Sequence, residues 1–497
     1  MKKYIFLFSI ILLIPFASMA QDLADALRYS NLSVSGTARA GAMGNAFGAL
    51  GGDFTSASIN PAGLGLYRSS EFTVTPISMS TRVESKYYGT GREDSDYKFS
   101  LNNISYVNTI SMAGTNEAGI VNVNLGIGYN RIKDFNSNGI IQGFDVNGSY
   151  LDYFADRANR GIWSDYYEEL AWKTDVLLYD ENNDEYWSDP QDAGYKQSQR
   201  KTFSKNGAID EYSFVASFNF NHKLYVGLSW GVNDLYYSES SVIYENDEKN
   251  NIPYFNNMQF NSYLTTWGIG HNFKFGAIYK PINEVRLGVS IHTPTWYRLQ
   301  DDFSTSMYSS VTFPDGSESY DEYSPYNEYD YRLQTPLRTT FSGAFVIGGK
   351  GILSADYELV SYGSAKLRDG GGGYDFYDEN TEISEAYKTS GNLRIGGELV
   401  ATNNLRLRGG FEYHGSAYES NAFNANQKNA EANMMVYAGG VGYYAGSFFA
   451  DLTYRYSTIT EYDALYPTPQ LEAYPIPEMA SLKTIKHDVL FTLGFRF

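Results

Sequence analysis

From residue 69 to the C-terminus, apolar and polar residues alternate with a period of two. In the last segment Ile485, Val489, Phe491, Leu493, Phe495 and Phe497 share one face, and Lys486, Asp488, Thr492, Gly494 and Arg496 share the other. Leu405, Leu407, Phe411 and Tyr413 likewise oppose Arg406, Arg408, Glu412 and His414, and Leu224, Val226, Leu228 and Trp230 oppose Tyr225, Gly227, Ser229 and Gly231. Such a pattern belongs to strands whose two faces meet different media. Runs of this kind predict strands at 70–86, 98–114, 118–132, 209–221, 223–240, 259–280, 284–308, 328–349, 351–366, 387–401, 404–417, 432–445, 447–462 and 481–497. They make about 14 strands, and an even number is what a bacterial single-chain transmembrane barrel requires.

The connections carry a second pattern. Breaks at Thr115-Asn116-Glu117, Asn221-His222, Pro281-Ile282-Asn283, Gly349-Lys350, Thr402-Asn403 and Ala445-Gly446 are short, and those between them are expected to be long. Short turns at one end and long loops at the other are the periplasmic and extracellular sides of such a barrel. The loops 241–258, 309–327, 367–386, 418–431 and 463–480 are rich in Asn, Asp, Glu, Tyr, Gly and Pro, as solvated connections are. The largest insertion, 133–208, spaces Tyr150, Leu151, Phe154 and Ala158 and then Trp163, Tyr166, Tyr167, Leu170 and Trp172 as helical faces, so short helices are expected there.

Composition agrees with a barrel. The chain holds 45 Tyr, 30 Phe and 47 Gly, yet only 43% of it is hydrophobic. Strands that need an apolar residue at every second position account for that balance. Residues 1–20, with Lys2 and Lys3, an apolar run and Ser18-Met19-Ala20, read as a signal peptide cleaved near Ala20. Nothing after it reaches the ~18 consecutive apolar residues of a membrane helix. Without cysteine there is no disulfide, thiolate metal site or lipidated Cys. A formal charge of −19, more negative still once the two signal lysines leave, argues against nucleic acid as a partner. No Gly-Lys-Ser/Thr phosphate loop is present, so no nucleotide coupling and no cofactor is expected.

Between signal and strands, residues 36–65 read GTARAGAMGNAFGALGGDFTSASINPAGLG. So few large apolar groups cannot make a core alone, so residues 21–68 are expected to fold into the lumen of the barrel formed by 69–497, as a hatch. A barrel of 14 strands lies between those filled by their own side chains and those holding an aqueous channel, so it needs such a plug. This stretch, closed by Asn60-Pro61-Ala62, resembles the N-terminal hatch of the FadL/TodX outer-membrane channels. Gly288-Val289-Ser290-Ile291-His292-Thr293-Pro294, Ala355-Asp356-Tyr357-Glu358, Leu393-Arg394-Ile395-Gly396-Gly397-Glu398 and Leu405-Arg406-Leu407-Arg408-Gly409-Gly410-Phe411-Glu412-Tyr413 are similar to strand elements of the same family, in the expected order. The terminal Phe497 resembles the C-terminal signal of such barrels.

The resemblance implies an all-β transmembrane barrel in the outer membrane of a Gram-negative bacterium. It implies passive uptake of long-chain fatty acids or aromatic hydrocarbons, captured at outer loops, passed by the hatch and released sideways through the wall beside Asn60, Pro61 and Ala62. Expected partners are hydrophobic small molecules, outer-membrane lipid and the barrel-assembly machinery. Keeping an apolar chain out of water is worth about 0.8 kcal/mol per CH₂, which favours lateral exit. Each candidate residue has two readings. Asn60, Pro61 and Ala62 make a gate or an anchoring turn. Phe47, Leu50 and Phe54 line a ligand pocket or pack the hatch to the wall. Arg338, Arg394 and Arg408 bind a carboxylate head group, or join Asp356, Glu358, Glu398, Glu412 and Asp451 in a stiffening polar lattice. Tyr150, Phe154, Trp163 and Tyr166 form an outer capture groove, or pack within their own loop.

Other functions leave weaker marks. Haem capture would use His or Tyr ligands, but His222, His271, His292, His414 and His487 show no ligand spacing. Gly-x-Ser-x-Gly is missing and His487-Asp488 point to opposite strand faces, so no enzyme is expected. A surface adhesin or phage receptor remains open, with Tyr320-Asp321-Glu322-Tyr323-Ser324-Pro325-Tyr326 as its contact surface.

Overall fold

The computed structural model describes residues 23–112, 119–420 and 428–497. The expected signal peptide lies outside the described residues. In chain order the strands are β1 Glu71–Tyr87, β2 Thr90–Ser111, β3 Ile120–Asp134, β4 Ser137–Gly143, β5 Leu178–Asp180, β6 Glu185–Trp187, β7 Ser198–Phe220, β8 Leu224–Asn246, β9 Phe255–Tyr279, β10 Val285–His292 and β11 Trp296–Phe313. They continue as β12 Gly316–Tyr323, β13 Asn327–Gln334, β14 Arg338–Ile347, β15 Gly351–Ser361, β16 Lys366–Asp369, β17 Thr389–Val400, β18 Leu405–His414, β19 Met434–Ala445, β20 Phe448–Ala464 and β21 Met479–Arg496.

Fourteen of these build the wall: β1, β2, β3, β7, β8, β9, β10, β14, β15, β17, β18, β19, β20 and β21. Every neighbouring pair is antiparallel, and β21 closes the barrel on β1 from Glu71↔Arg496 to Lys86↔Ser481. Alternation sets the faces. Leu224, Val226, Leu228 and Trp230 are exposed on the outside, while Tyr225, Gly227, Ser229 and Gly231 are buried inside. Among the described residues no helix is long and apolar enough to cross a membrane.

Three features differ from the sequence reading. The expected strands 284–308 and 328–349 are each interrupted, at Thr293-Pro294-Thr295 and Thr335-Pro336-Leu337, because proline has no N–H to give the ladder. Thr335 N–H donates to the Thr295 carbonyl (3.0 Å) and Thr295 N–H to the Thr335 hydroxyl (2.8 Å), so the two breaks brace each other. The loop expected at 309–327 is largely sheet, the β11–β12 hairpin. The first outer connection is not long: β1 and β2 run on to Tyr87↔Thr90, joined by Tyr88 and Gly89, both in the left-handed region.

Helices gather in two places. Near the N-terminus, α1 (Leu23–Ser30), α2 (Ala38–Ala42), α3 (Ser56–Ile59) and the 3-10 turn Pro61–Leu66 follow one another. Further on, α4 (Tyr150–Asn159), α5 (Glu168–Lys173), α6 (Asp189–Asp192) and the small β5–β6 sheet form an outer cap, and α7 (Tyr377–Ala386) lies between β16 and β17. Helices were expected in the insertion. The stretch outside the barrel sheet is shorter than 133–208, because β3, β4 and β7 run into it.

Candidate functional site

The segment from α2 to the 3-10 turn is buried almost throughout. Its contacts reach strands all round the bore. Ala38 N–H donates to Thr492 Oγ1 on β21 (2.8 Å), Asn45 to Glu412 on β18 (3.0 Å), Gly48 N–H to Asp356 on β15 (2.8 Å) and Ser58 to Glu211 on β7 (2.7 Å). Small residues make this possible, since the backbone itself must come within hydrogen-bond reach of the wall.

Asn60, Pro61 and Ala62 sit against β8, β9 and β10. Asn60 is extended, and its side-chain oxygen caps the turn by accepting from Ala62 N–H (3.1 Å), with Pro61 at the first position where no N–H is needed. Its Nδ2 donates to Gly48 O (2.6 Å) and lies 3.3 Å from both Ala277 O on β9 and Val289 O on β10. The wall makes room with glycine. A Cβ on Gly276 would stand 1.9 Å from Asn60 Oδ1, one on Gly227 2.3 Å from Pro61 C, and one on Gly288 2.5 Å from Gly48 O. The ladder is complete here, with Gly227 facing Gly276 and Ala277 facing Val289.

Phe47 and Leu50 are buried with Met43, Ala49, Ile59 and Ala344, whereas Phe54 joins Leu64, Tyr67, Val107 and Val215 in a separate cluster. The three arginines are not gathered either. Arg338 and Arg394 share Glu358, at 3.4 and 2.8 Å, and Asn392 donates to the same carboxylate (2.9 Å). Arg408 lies elsewhere, held by Asp451 (2.5 Å) and Glu398 (2.7 Å), and Arg39 of α2 reaches that Glu398 (3.2 Å). Arg338, Arg394 and Glu358 border a void of only about 40 Å³ together with Lys274 and His292.

A larger cavity, about 450 Å³, lies beside α1. Leu27, Ile77, Met79, Met434 and Ile459 line it, interleaved with the charged Arg131, Lys133, Lys486, Glu461 and Asp488. Neither Lys133 nor Lys486 belongs to any of the ion pairs described within 4 Å, unlike the arginines. Lys486 and Asp488 were legible as inward residues from the alternation of the last strand. Lys133 was not, because the expected strand stopped at 132, whereas β3 runs on to Asp134 past a register shift between Arg131 and Lys133.

That shift has a structural result. β2 and β3 pair from Ser111↔Asn122 to Asn103↔Asn130 and no further. A bulge bends the strand that carries it, and β3 then continues as β4 on β7 alone. Among the described residues, side chains link β2 residues 90–102 to residues 136–143, Lys98 Nζ to Asn136 (2.6 Å) and Arg92 Nε to Gln142 (2.9 Å), and Ser85 of β1 donates to the Ile140 carbonyl of β4 (2.5 Å). Asn102 on one side of this seam and Arg131, Lys133 and Asp134 on the other all line the cavity. On the outer face of β2, Tyr97 and Phe99 are 71% and 70% exposed.

The outer cap has its own core. Tyr150 and Phe154 are buried in it, 4.6 Å apart between ring centres and 5.2 and 5.7 Å from Phe260. Trp163 is at the surface, its indole N–H on Glu169 (2.8 Å), and Tyr166 packs on Phe303 of β11 (5.7 Å). These four therefore do not line one groove. A capping box of Ser149 and Asp152 starts α4, and Glu245 at the outer end of β8 accepts from Ser149 Oγ (2.5 Å) and Tyr150 N–H (2.7 Å). Burial pushes the Asp152 carboxyl up to about 8, with Glu245 adding to the rise. Among the described residues no cluster of His, Asp and Glu is arranged to hold a metal ion.

Fold and site together define a closed transmembrane barrel whose bore is crossed by its own N-terminal segment. Neither a family model nor a curated protein matches the sequence. Among solved structures, a Pseudomonas aeruginosa FadL homologue matches over 94% of this chain and 99% of its own, with a TM-score of 0.57 at 12% identity. A TodX monoaromatic hydrocarbon channel deltaS2 mutant matches over 93% and 98%, with a TM-score of 0.53 at 13% identity. The Pseudomonas putida toluene transporter TodX matches over 93% and 98%, with a TM-score of 0.50 at 13% identity. The fold of this chain is that of the FadL and TodX channels.

Proposed function

We propose that the protein is a passive outer-membrane channel for hydrophobic molecules with a polar or anionic end, rather than an enzyme. The observation that carries this reading is the cavity of about 450 Å³ between α1, the wall and the β2–β3 seam. Its apolar lining residues suit an alkyl or aryl body, and Lys133 and Lys486, in no ion pair within 4 Å, suit a carboxylate head. That chemistry favours a fatty acid over a bare hydrocarbon, since only a carboxylate adds charge-assisted bonds to lysines that Glu461 and Asp488 of the same cavity do not hold within ion-pair distance.

The seam also supports a route. A lateral exit needs a stretch of wall whose strands can part without breaking a ladder, and beyond Asn103 β2 is laddered to β1 but not to β3. The Asn60 turn adjoins laddered wall instead, so its proposed part is to seat the hatch, with passage between β2 and β3.

The test is uptake of labelled oleate and of toluene into proteoliposomes holding the full chain, together with mass spectrometry of lipids that copurify. Uptake no faster than in empty vesicles for both compounds refutes the channel. Equal handling of oleate by wild type and by a Lys133→Met/Lys486→Met double variant refutes the head-group assignment alone.

A further inference from the structure

β12 has a strand on one side only. It pairs with β11 from Ser306↔Tyr323 to Phe313↔Gly316 and, among the described residues, with no other strand. Below it, β13 has β11 on one edge and β16 on the other, the latter only from Tyr331↔Asp369 to Gln334↔Lys366. A free edge thus runs along β12 and the upper part of β13. Hydrogen-bond phase shows which groups it presents. Thr312 gives its N–H to Tyr254 O on the far side of β11, and Ser324 N–H returns to Thr305 O. By alternation Ser317, Ser319, Asp321 and Tyr323 point their N–H and C=O groups away from β11, into open space. Every residue of β12 is exposed or half-buried.

The same stretch is strongly charged. Asp315, Glu318, Asp321, Glu322, Glu328 and Asp330 fall within residues 315–330, which contain no Lys or Arg. None of the described salt bridges includes any of the six. An open edge is a template for a further strand, and charge decides which strand it accepts. A second copy of this edge would set six carboxylates against six. A cationic segment would meet Glu318 and Glu322 on one face and Asp321 on the other.

We propose that the β12 edge is a docking site for an extended, Lys- or Arg-bearing segment of another protein, added to the sheet as a strand. Main-chain bonds to Ser317–Tyr323 supply the affinity and the carboxylates select the partner. The site lies on the outer sheet extension, apart from cavity and hatch, and does not rest on the transport reading.

The experiment uses the full chain in nanodiscs and a synthetic peptide of alternating Lys and Thr, with a Glu–Thr peptide as control. Binding is read by fluorescence anisotropy, and amide hydrogen exchange reports on 316–330. The wild type should bind only the cationic peptide, with exchange slowed at Ser317, Ser319, Asp321 and Tyr323. Ser319→Pro removes an N–H that β11 does not use, so the hairpin should survive while binding weakens at least tenfold. Glu318→Lys/Glu322→Lys should exchange the preference for the acidic peptide. Binding that Ser319→Pro leaves unchanged, or without exchange protection, is mere charge attraction and overturns strand addition. No binding, or self-association of the protein through this edge, overturns the proposal altogether.

Discussion

The wall facing Asn60 and the wall between β2 and β3 solve opposite problems with the same strand chemistry. At β8, β9 and β10 the ladder is complete and glycines let the backbone of the N-terminal segment press on it. The β2–β3 ladder stops at Asn103↔Asn130, beside register shifts of β2 against β1 and of β3 against β7, and leaves a seam beside a cavity. Buried charge follows the same division. Where the N-terminal segment meets the wall Lys274 pairs with Glu211 and Arg394 with Glu358, whereas Lys133 and Lys486 share the cavity with Glu461 and Asp488 but make no ion pair within 4 Å. A paired buried charge holds structure in place, and an unpaired one beside a cavity is free to meet a ligand.

The contrast is broken most directly at the seat. Glu211→Ala leaves Lys274 buried without its partner and removes the acceptor of Ser58, and should cost about 3–5 kcal/mol, measured by urea unfolding in detergent. Gly276→Val drives a side chain into Asn60 and should destabilise by about 1–3 kcal/mol. Limited proteolysis should then cut within 36–65, and an uncut hatch would refute the tight seat. Asn60→Ala loses a cap and three carbonyl contacts, and about 1–2 kcal/mol is expected in the same unfolding assay.

At the seam, Lys133→Met/Lys486→Met should change stability little while slowing oleate uptake about tenfold, the ~1.4 kcal/mol of one modest charge-assisted contact. Toluene uptake should not move. The smallest effect belongs to the cap. Because the Asp152 carboxyl is raised in the folded state, the stability it contributes is full below about pH 4. It is lost as pH climbs through about 8. Hydrogen exchange over α4 should therefore quicken between those values, and Asp152→Asn should flatten the dependence.

Much of the barrel was legible in the sequence because lipid and lumen impose a period of two, and Leu224 to Gly231 or Leu405 to His414 display it without interruption. What escaped was set where that period fails. Pro294 and Pro336 split two strands, and Lys133, read as the first residue of the insertion, belongs to β3, which runs past the shift at Arg131–Lys133. The candidate arginines could be placed inward from alternation, but not apportioned, since a partner on the next strand depends on register.

By itself, then, the sequence determined the strands, their faces, the even count and the small-residue segment ahead of them, all consequences of local geometry and of which medium each face meets. Only the tertiary structure decided that Asn60 seats on β8–β10, that Arg338, Arg394 and Arg408 are already paired, and that Lys133 and Lys486 face a cavity at an open seam. Those facts depend on which residues distant strands bring within a few ångströms, and no periodicity along one strand encodes the register of another.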